Sequence, residues 1–371
     1  MPYAFLKKTF VDDINHLLGL PESALQAYRD ETERINTDHG LQTRAISLYE
    51  MLQCGGKSWE DVAECLKKLM PEEGMFAAVV LGSCVPQLSE WYDTRGLSQT
   101  ILIDTLSDFR LWMEQHRKRH GEWGLSEIGW LIHHLSGKLF KLGRLQFMPI
   151  IYKGKIKAYR SRESGELSIL SGPGVSFRRD GRVNEAFGRE DTEEGWESVF
   201  HETELHVTGH RILEGGEADP GTLQFEKKAW ELVLEEGDLV VDVHIPEGGS
   251  LSDADCSASY DMAETFFEEN GIGKGFKAFV CTSWLLSPQL KKLLPESSSI
   301  IKFQSGFHLI PDGSNDDQLM ERVFGGRPEQ LSEAPRDTTL RSSVLDAMEQ
   351  GVSFCGGSGF KLRGRAISSS V

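Results

Sequence analysis

The residue types best suited to chemistry meet where a strand, a glycine turn and a helix follow one another, over residues 238–270. His244 ends the strand on the face opposite its apolar side chains, and an imidazole titrates near neutral pH, which suits a general base. Gly248 and Gly249 allow a sharp turn at the start of the helix, where backbone N–H groups can bind an anion. The segment predicts either an anion-binding turn beside a base or an ordinary connection with a structural histidine.

A second segment whose side chains could do chemistry, residues 279–286, begins on a strand and ends in a short helix. Alternation places Cys281 and Ser283 on one face of the strand. Cys281 would act as a nucleophile only beside an activating base, and is otherwise a small buried core residue. Thr282 and Trp284 take the other face, where Trp284 is either a core anchor or the wall of a substrate cleft.

The run His201–His210 has the composition of a zinc-protease motif but not its spacing. Two histidines on such a helix are four residues apart, whereas His201 and His206 are separated by five. The segment alternates like a strand, with Glu204 and His206 on one face. We therefore expect no metal site here, and interpret this face as solvated or as the polar wall of a substrate cleft.

Arg144 and Gln146 open the first strand of the predicted sheet, on the same face of that strand. A guanidinium in this place can pair with a carboxylate or a phosphate of a substrate. The alternative is that the arginine ties the sheet to the helix before it.

The elements that position these side chains change from predicted helices to predicted strands at Gly143. Before it the apolar residues recur with a helical period, and after it they alternate as in strands. Helices are predicted near residues 9–19, 21–36, 41–53, 58–70, 74–92, 98–119 and 125–140. An all-helical part followed by antiparallel hairpins and β-α-β units predicts an α+β protein whose mixed, mostly antiparallel sheet has few flanking helices.

Turn residues separate the predicted strands of the second part. Strands are predicted at residues 145–152, 155–160, 166–170, 175–179, 201–210, 222–233, 239–245, 277–283 and 299–310. Ser252 and Asp255 resemble a capping box that opens the helix after the glycine turn. Further helices are predicted at residues 288–294, 315–324 and 340–349, the last capped by Asp337 and followed by a glycine-rich segment at 355–360. The expected domains are residues 1–142, residues 143–327, and a tail over 328–371 that packs on the second domain.

Composition narrows the possible partners of the chain. A formal net charge of −17 over 371 residues argues against nucleic acid and anionic membranes as partners. Six cysteines without a C-x-x-C pair fit a reducing compartment. The N-terminus lacks the apolar core of a secretory signal, and the longest apolar run, residues 75–85, is too short to span a bilayer. We expect a soluble cytoplasmic protein.

Four segments together resemble a bacterial acyltransferase family with a helical N-terminal domain and a GNAT-like C-terminal domain. The similar segments are residues 142–147, 243–249, 283–290 and 339–360. The resemblance implies a GNAT-like sheet and transfer of an acyl group from acyl-CoA, as co-substrate, to an amine of a small molecule or peptide. In that superfamily the loop after the central strand presents backbone amides to the CoA pyrophosphate, whereas the loop here reads Pro-Glu-Gly-Gly-Ser.

The resemblance also implies a role for each candidate residue. The CoA turn corresponds to Ile245, Glu247, Gly248, Gly249, Ser250 and Leu251. His244 or Glu204 is the base that removes a proton from the amine, and Ser283 is the proton donor to the departing thiolate. The acceptor contacts are assigned to Arg144, Gln146, His206 and Trp284.

Two other functions remain open at this point. The first is a non-catalytic GNAT-like module that holds a peptide or small molecule, which the glutamate in the turn favours. The second is a thiol or metal hydrolase that uses Cys281 or the run His201–His210, which the spacings disfavour.

Overall fold

The computed structural model describes residues 3–56, 58–184, 186 and 195–364. The chain divides into two compact units, Met1–Met148 and Pro149–Val371. Among the described residues, no helix is both long and apolar enough to cross a lipid bilayer.

The first unit is built from helices and ends in a hairpin. Its helices are α1 (Phe10–Leu18), α2 (Glu22–Thr37), α3 (His39–Cys54), α4 (Ser58–Lys67), α5 (Gly74–Gly82), α6 (Val85–Thr94), α7 (Gln99–His120) and α8 (Ile128–Leu135). The hairpin consists of β1 (Phe140–Leu142) and β2 (Leu145–Ile151), which continues into the second unit. The helical interpretation of this part is confirmed, and so is the α+β class.

Two of the predicted helices differ in detail from the observed ones. The helix predicted over residues 74–92 is two helices, because Pro86 in the first turn of α6 has no N–H to continue the hydrogen bonds of α5. The helix predicted over residues 125–140 ends at Leu135, and the chain then enters β1.

Helix α5 forms the centre of the first unit. Nearly all of its residues are buried, so the apolar run that was too short for a bilayer is a core helix. Tyr28 of α2 donates a hydrogen bond to the carbonyl of Val79 at 3.2 Å. Gly82 leaves room for this contact, since a Cβ there would lie 2.6 Å from the Tyr28 hydroxyl.

The second unit contains two main sheets with helices around them. Its strands are β3 (Ile156–Ser161), β4 (Leu167–Ser171), β5 (Ser176–Phe177), β6 (Trp196–Glu197), β7 (Phe200–Glu202), β8 (His206–Ile212), β9 (Ala218–Glu226), β10 (Trp230–Leu234), β11 (Leu239–His244), β12 (Ala278–Ser283), β13 (His308–Ile310) and β14 (Gly357–Leu362). Its helices are α9 (Asp253–Glu269), α10 (Leu290–Leu293), α11 (Ser299–Ser305), α12 (Asp317–Phe324) and α13 (Thr339–Glu349).

The two sheets enclose an apolar core. One sheet contains the order β11-β12-β14-β13, and the other has the order β10-β3-β4-β8-β7, with β9 paired to β8. Val240, Val280 and Phe360 of the first sheet pack with Ile156 and Ile212 of the second. Strands β11 and β12 pair in parallel, whereas the pairs β12-β14, β13-β14 and β3-β4 are antiparallel, as predicted for a mixed sheet.

Four local predictions in the second unit are wrong. Residues 222–233 were predicted as one strand, but β9 ends at Glu226 and β10 begins at Trp230, with a single helical turn between them. Residues 201–210 do not form one strand but the hairpin β7-β8, so Glu204 lies in its turn. Residues 299–310 were predicted as one strand, but Ser299–Ser305 is helix α11, which buries Ile301 and Phe303, and only β13 is extended. Helix α13 is capped by Thr338, whose hydroxyl accepts from Arg341 N, while Asp337 pairs with the Arg341 side chain instead.

The glycine-rich segment near the C-terminus is a strand inside the sheet. Residues 357–362 form β14 between β12 and β13, antiparallel to both. At Gly357 a Cβ would lie 2.1 Å from the carbonyl oxygen of Leu286. Glycine is therefore required by close backbone packing at this position.

Candidate functional site

Strands β11 and β12 part at their carboxyl ends. Their paired positions are Val241 with Phe279 and Asp242 with Val280. Strand β11 nevertheless runs on to His244, and β12 runs on to Ser283. The two strand ends therefore flank an opening in the sheet, the kind of place where α/β proteins bind ligands.

His244 lies at one side of this opening, next to a carboxylate of its own strand. Its Nε2 atom is 3.1 Å from Asp242 Oδ2, and the side chains are 27% and 21% exposed. An imidazole beside a carboxylate at the end of a strand is a candidate for proton exchange with a ligand.

The glycine turn and the start of α9 follow His244 directly. Gly248 and Gly249 have φ angles of 82° and 71°, a left-handed backbone that favours glycine. Ser252 caps α9: its hydroxyl accepts from Asp255 N at 3.1 Å and donates to Asp255 Oδ2 at 2.5 Å. The predicted cap is confirmed, and the N-terminus of a helix of 17 residues points its N–H groups toward the turn.

The side chains around the turn carry negative charge. Glu247 is exposed in the turn itself, and Asp253 and Asp255 stand in the first turn of α9. These carboxylates suit the positive end of the helix dipole. They also oppose the approach of a polyanion, so an anionic ligand would have to be held by backbone N–H groups. Of the other residues assigned to the turn, Ser250 is exposed, while Ile245 and Leu251 are half-buried.

Ser283 and Trp284 lie at the end of β12. Ser283 is 8% exposed, and its oxygen accepts from Leu285 N at 3.3 Å, which leaves its hydroxyl hydrogen to donate elsewhere. The backbone N–H of Trp284 donates to Gln318 Oε1 at 2.8 Å. The Trp284 ring packs against the apolar cluster formed by the helices α10 to α13.

Cys281 has the environment of a core residue. It is buried, and burial, followed by the nearby charge of Asp242, raises the pKa of its thiol well above the ordinary value. A thiol in this state is a poor nucleophile, because the thiolate is the reactive form. This environment argues against the thiol hydrolase.

The histidines of the run His201–His210 belong to the sheet that contains β7 and β8. His210 is buried, with Nδ1 3.0 Å from the Asp219 carbonyl oxygen and its ring 4.6 Å from that of Trp196. His206 opens β8 and is half-buried. Within the described part of the chain, no three His, Cys, Asp or Glu side chains are placed to share a metal ion.

Arg144 and Gln146 belong to the first unit. Arg144 lies in the turn between β1 and β2. Gln146 is 1% exposed, and its Nε2 lies 3.3 Å from Nε2 of His134. It is part of a buried polar cluster, whose members are Asp108, Trp130, His134 and Gln146. Substrate contact by Gln146 remains a prediction that its burial does not favour.

Asp108 is the charged centre of this buried cluster. His134 Nε2 lies 3.1 Å from Asp108 Oδ2, and the indole of Trp130 donates to the same oxygen at 3.3 Å. Burial alone would raise the pKa of Asp108, but the hydrogen bond and charge of His134, with two further donors, hold the pKa below its ordinary value. The sequence carried one sign of this cluster, an aspartate among the buried positions of α7.

One polar array, which joins β12, β14 and the segment after β13, is absent from the predicted site. Thr282 Oγ1 lies 2.7 Å from Ser358 Oγ, and the Ser358 hydroxyl donates to Asp312 Oδ2. Asp312 Oδ1 in turn accepts from Ser314 N at 2.6 Å. Alternation had placed Thr282 opposite to Ser283, but no pattern in the sequence relates it to Ser358.

Comparison with known protein families gives a match for each of the two units. Residues 9–137 match the N-acyltransferase N-terminal domain, and residues 139–361 match the GNAT-like C-terminal domain. No curated protein matches the sequence.

Solved structures with a similar fold include an acyltransferase in complex with decanoyl-CoA and teicoplanin, at 19% identity and a TM-score of 0.58, which covers 95% of this chain and 87% of that one. Another is an acyltransferase in complex with decanoyl-CoA, at 21% identity and a TM-score of 0.56, with the same coverage. At these identities the similarity establishes the fold.

Proposed function

We propose that this chain, which belongs to the family with an N-acyltransferase N-terminal domain and a GNAT-like C-terminal domain, transfers an acyl group from acyl-CoA to an amine. The observation that carries the proposal is the opening between β11 and β12, bordered by His244 and by the glycine turn at the start of α9. Proteins of similar fold hold decanoyl-CoA, and one holds teicoplanin as well. The amine acceptor is a small molecule or a peptide.

The turn is the proposed site for the CoA pyrophosphate. Backbone N–H groups from Glu247 to Leu251 and the N-terminus of α9 supply the positive end of the site. The exposed glycines let the backbone approach the ligand closely. No side-chain cation is needed for such a site, although Glu247 weakens it.

Transfer proceeds by direct attack. The amine nitrogen forms a bond to the thioester carbonyl carbon, and backbone N–H groups in the opening stabilise the negative oxygen. The imidazole of His244 takes the proton that the amine loses. The C–S bond then breaks, and the sulfur receives a proton from the Ser283 hydroxyl, which solvent restores. The products are an amide and free CoA.

The structure favours His244 over Glu204 as the base. His244 ends a strand that borders the opening, with Asp242 beside its ring. Glu204 lies at the tip of a hairpin in the other sheet. Acceptor contacts by His206, which opens β8 of the other sheet, and by Trp284 stay predictions from the sequence.

Calorimetric titration with acetyl-CoA and decanoyl-CoA tests the proposal. The wild-type protein is expected to bind one or both below millimolar concentration. Gly249→Glu should abolish binding, because it places a second carboxylate and a strained residue in the turn. Cys281→Ala should bind like wild type. Absence of wild-type binding at millimolar ligand would contradict the proposal.

The second candidate is a GNAT-like module that binds a ligand without transferring an acyl group. The carboxylates of Glu247, Asp253 and Asp255 around the turn favour it. Binding of acyl-CoA without release of free CoA in the presence of amines would support the module. Turnover would exclude it.

A further inference from the structure

Strand β9 forms a free edge of the sheet that contains β8. Within the described residues, the ladder of β9 pairs it with β8 alone. The pairing is regular from Thr222 to Glu226, which lie opposite His210 to His206. Residues 222–224 and 226 are exposed, so the outer edge of this stretch is open to solvent. The backbone N–H and C=O groups of such an edge can bind another strand.

The free edge is limited to these five residues by the geometry on its N-terminal side. The ladder with β8 is irregular N-terminal to Thr222. Pro220 has no N–H, and the Gly221 N–H donates to Asp219 Oδ1 at 2.8 Å. Bulges and prolines end edge pairing in natural sheets. A partner strand would therefore meet residues 222–226.

Exposed apolar side chains lie around this edge. Leu223 is 36% exposed and Leu205 is 69% exposed. Leu205 lies beside the end of β9, where its carbonyl accepts from Lys227 N at 2.9 Å. Phe225 is half-buried, with its ring centroid 5.0 Å from that of Tyr159. An apolar patch beside a free edge is typical of an interaction surface.

Charge favours this stretch as a contact between two copies of the chain. The formal net charge is −17, so contacts between copies generally bring carboxylates together. Residues 222–225 carry no charge. Glu226 next to them is paired with Lys228, 2.8 Å away. Two copies can therefore approach each other along β9 without repulsion between its side chains.

The five residues are complementary to their own copy in an antiparallel pair centred on Gln224. In that register Leu223 of each copy lies opposite Phe225 of the other, on one face of the strands. Aromatic and apolar residues in such cross-strand positions stabilise a sheet. On the other face Thr222 lies opposite Glu226 of the second copy, where a hydroxyl can donate to a carboxylate. The two Gln224 amides lie opposite each other and can exchange hydrogen bonds.

We infer that the chain forms a dimer through β9, in which two copies of this strand pair antiparallel about a two-fold axis at Gln224. The sheets of the two copies then continue through the contact. A pair of five-residue strands is a small interface, so the dimer is weak and depends on concentration. This inference is independent of the proposed acyl transfer.

Sedimentation equilibrium from micromolar to near-millimolar protein tests the dimer. Wild type is expected to pass from the mass of one chain to that of two. Leu223→Lys should weaken association by at least about tenfold, because the two-fold axis repeats the unfavourable contact. Val352→Lys, the same kind of change at an exposed position outside this edge, is the matched control and should associate like wild type. Thermal unfolding of dilute samples checks that both variants are folded.

A second substitution tests the position of the axis. Gln224→Lys places two like charges directly opposite each other, and should also weaken association by at least about tenfold. Because ions screen this repulsion, the loss should shrink at high salt. The loss caused by Leu223→Lys should depend less on salt, since it includes lost apolar contacts.

Disulfide formation tests the register. The exposed native thiols are first removed by Cys54→Ser and Cys65→Ser. In this background Gln224→Cys brings two thiols to the axis, where Cα atoms of opposed residues are about 4.5–5.5 Å apart, within disulfide range. Oxidised glutathione should link the two copies covalently. Thr222→Cys should not cross-link, because its two copies would lie roughly 13 Å apart along the strands.

The outcomes decide between this contact and others. A wild type that stays monomeric at every concentration would overturn the dimer. A dimer that survives both Leu223→Lys and Gln224→Lys would overturn the role of β9. No cross-link through Gln224→Cys, or an equal one through Thr222→Cys, would overturn the register. None of these results affects acyl-CoA binding, which calorimetry measures separately.

Discussion

Two histidines of this chain each lie 3.1 Å from an aspartate, and their exposure separates their roles. His134 and Asp108 are 1% and 3% exposed. No substrate reaches such a pair, so its role is structural. His244 and Asp242 are about a quarter exposed and end a strand beside the opening. Of these two imidazoles, only that of His244 is exposed enough to meet a ligand.

Removal of the proposed base should reduce turnover without loss of acyl-CoA binding. His244→Ala is expected to lower kcat by about 10²- to 10⁴-fold, the usual contribution of a general base. The measurement is CoA release from decanoyl-CoA with phenylethylamine, together with calorimetry for binding. His201→Ala, an exposed histidine on β7, is the matched control. A His244→Ala protein with wild-type kcat would exclude this role.

Glu247 is the residue of the turn that opposes CoA. Glu247→Gln removes a negative charge next to the proposed pyrophosphate site, and should tighten CoA binding about two- to fivefold, an effect typical of exposed charges. The gain should shrink at high salt because ions screen the repulsion. Glu269→Gln, at the other end of α9, is the control. Weaker CoA binding by Glu247→Gln would show that the side chain assists the ligand.

At the scale of elements, the buried cluster joins α7, α8 and β2 within the first unit. The ring of His134 bridges two elements, with Nε2 3.1 Å from Asp108 Oδ2 and Nδ1 3.2 Å from the Trp130 carbonyl oxygen. A buried charge that loses its partner is strongly destabilising. The cluster is therefore a point where a single substitution should loosen several elements.

Asp108→Asn should lower the free energy of unfolding by about 3 kcal/mol at pH 7. The folded-state pKa of Asp108 is depressed, so its stabilising effect is present above the unfolded pKa of about 3.9 and is lost as pH falls through the folded pKa. Urea unfolding of both proteins should therefore show a difference that narrows below about pH 4. Asp104→Asn, on the exposed side of α7, is the control. A difference independent of pH would contradict the stabilising role of the ionised Asp108.

Strand β14 depends on glycine for its place between β12 and β13. Gly357→Ala would put a methyl group 2.1 Å from the Leu286 carbonyl, and should cost about 1–3 kcal/mol of stability through backbone displacement. Thermal unfolding measures the loss. Gly221→Ala on β9 meets only the flexible Asp219 side chain and should change little. Equal Tm values for the two variants would mean that β14 tolerates a side chain.

At the scale of the whole molecule, local sequence patterns predicted the secondary-structure elements well. They did not predict which elements are neighbours in space. The helical first unit, the strand–turn–helix around His244 and the Ser252 cap all depend on residues close in sequence, and each was predicted. The hairpin at Glu204, helix α11 and strand β14 were not. In each of these cases packing against distant residues decides between conformations that the local pattern permits.

The sequence by itself determined the α+β class, the position of His244 at a strand end and the glycine turn that follows it. Alternation, turn chemistry and helix capping are short-range effects, so one segment contains all their causes. Only the tertiary structure decided that Thr282 meets Ser358, which lies 76 residues away. A glycine-rich segment carries few side chains to fix its partner or register, and the close backbone packing around β14 fixes both.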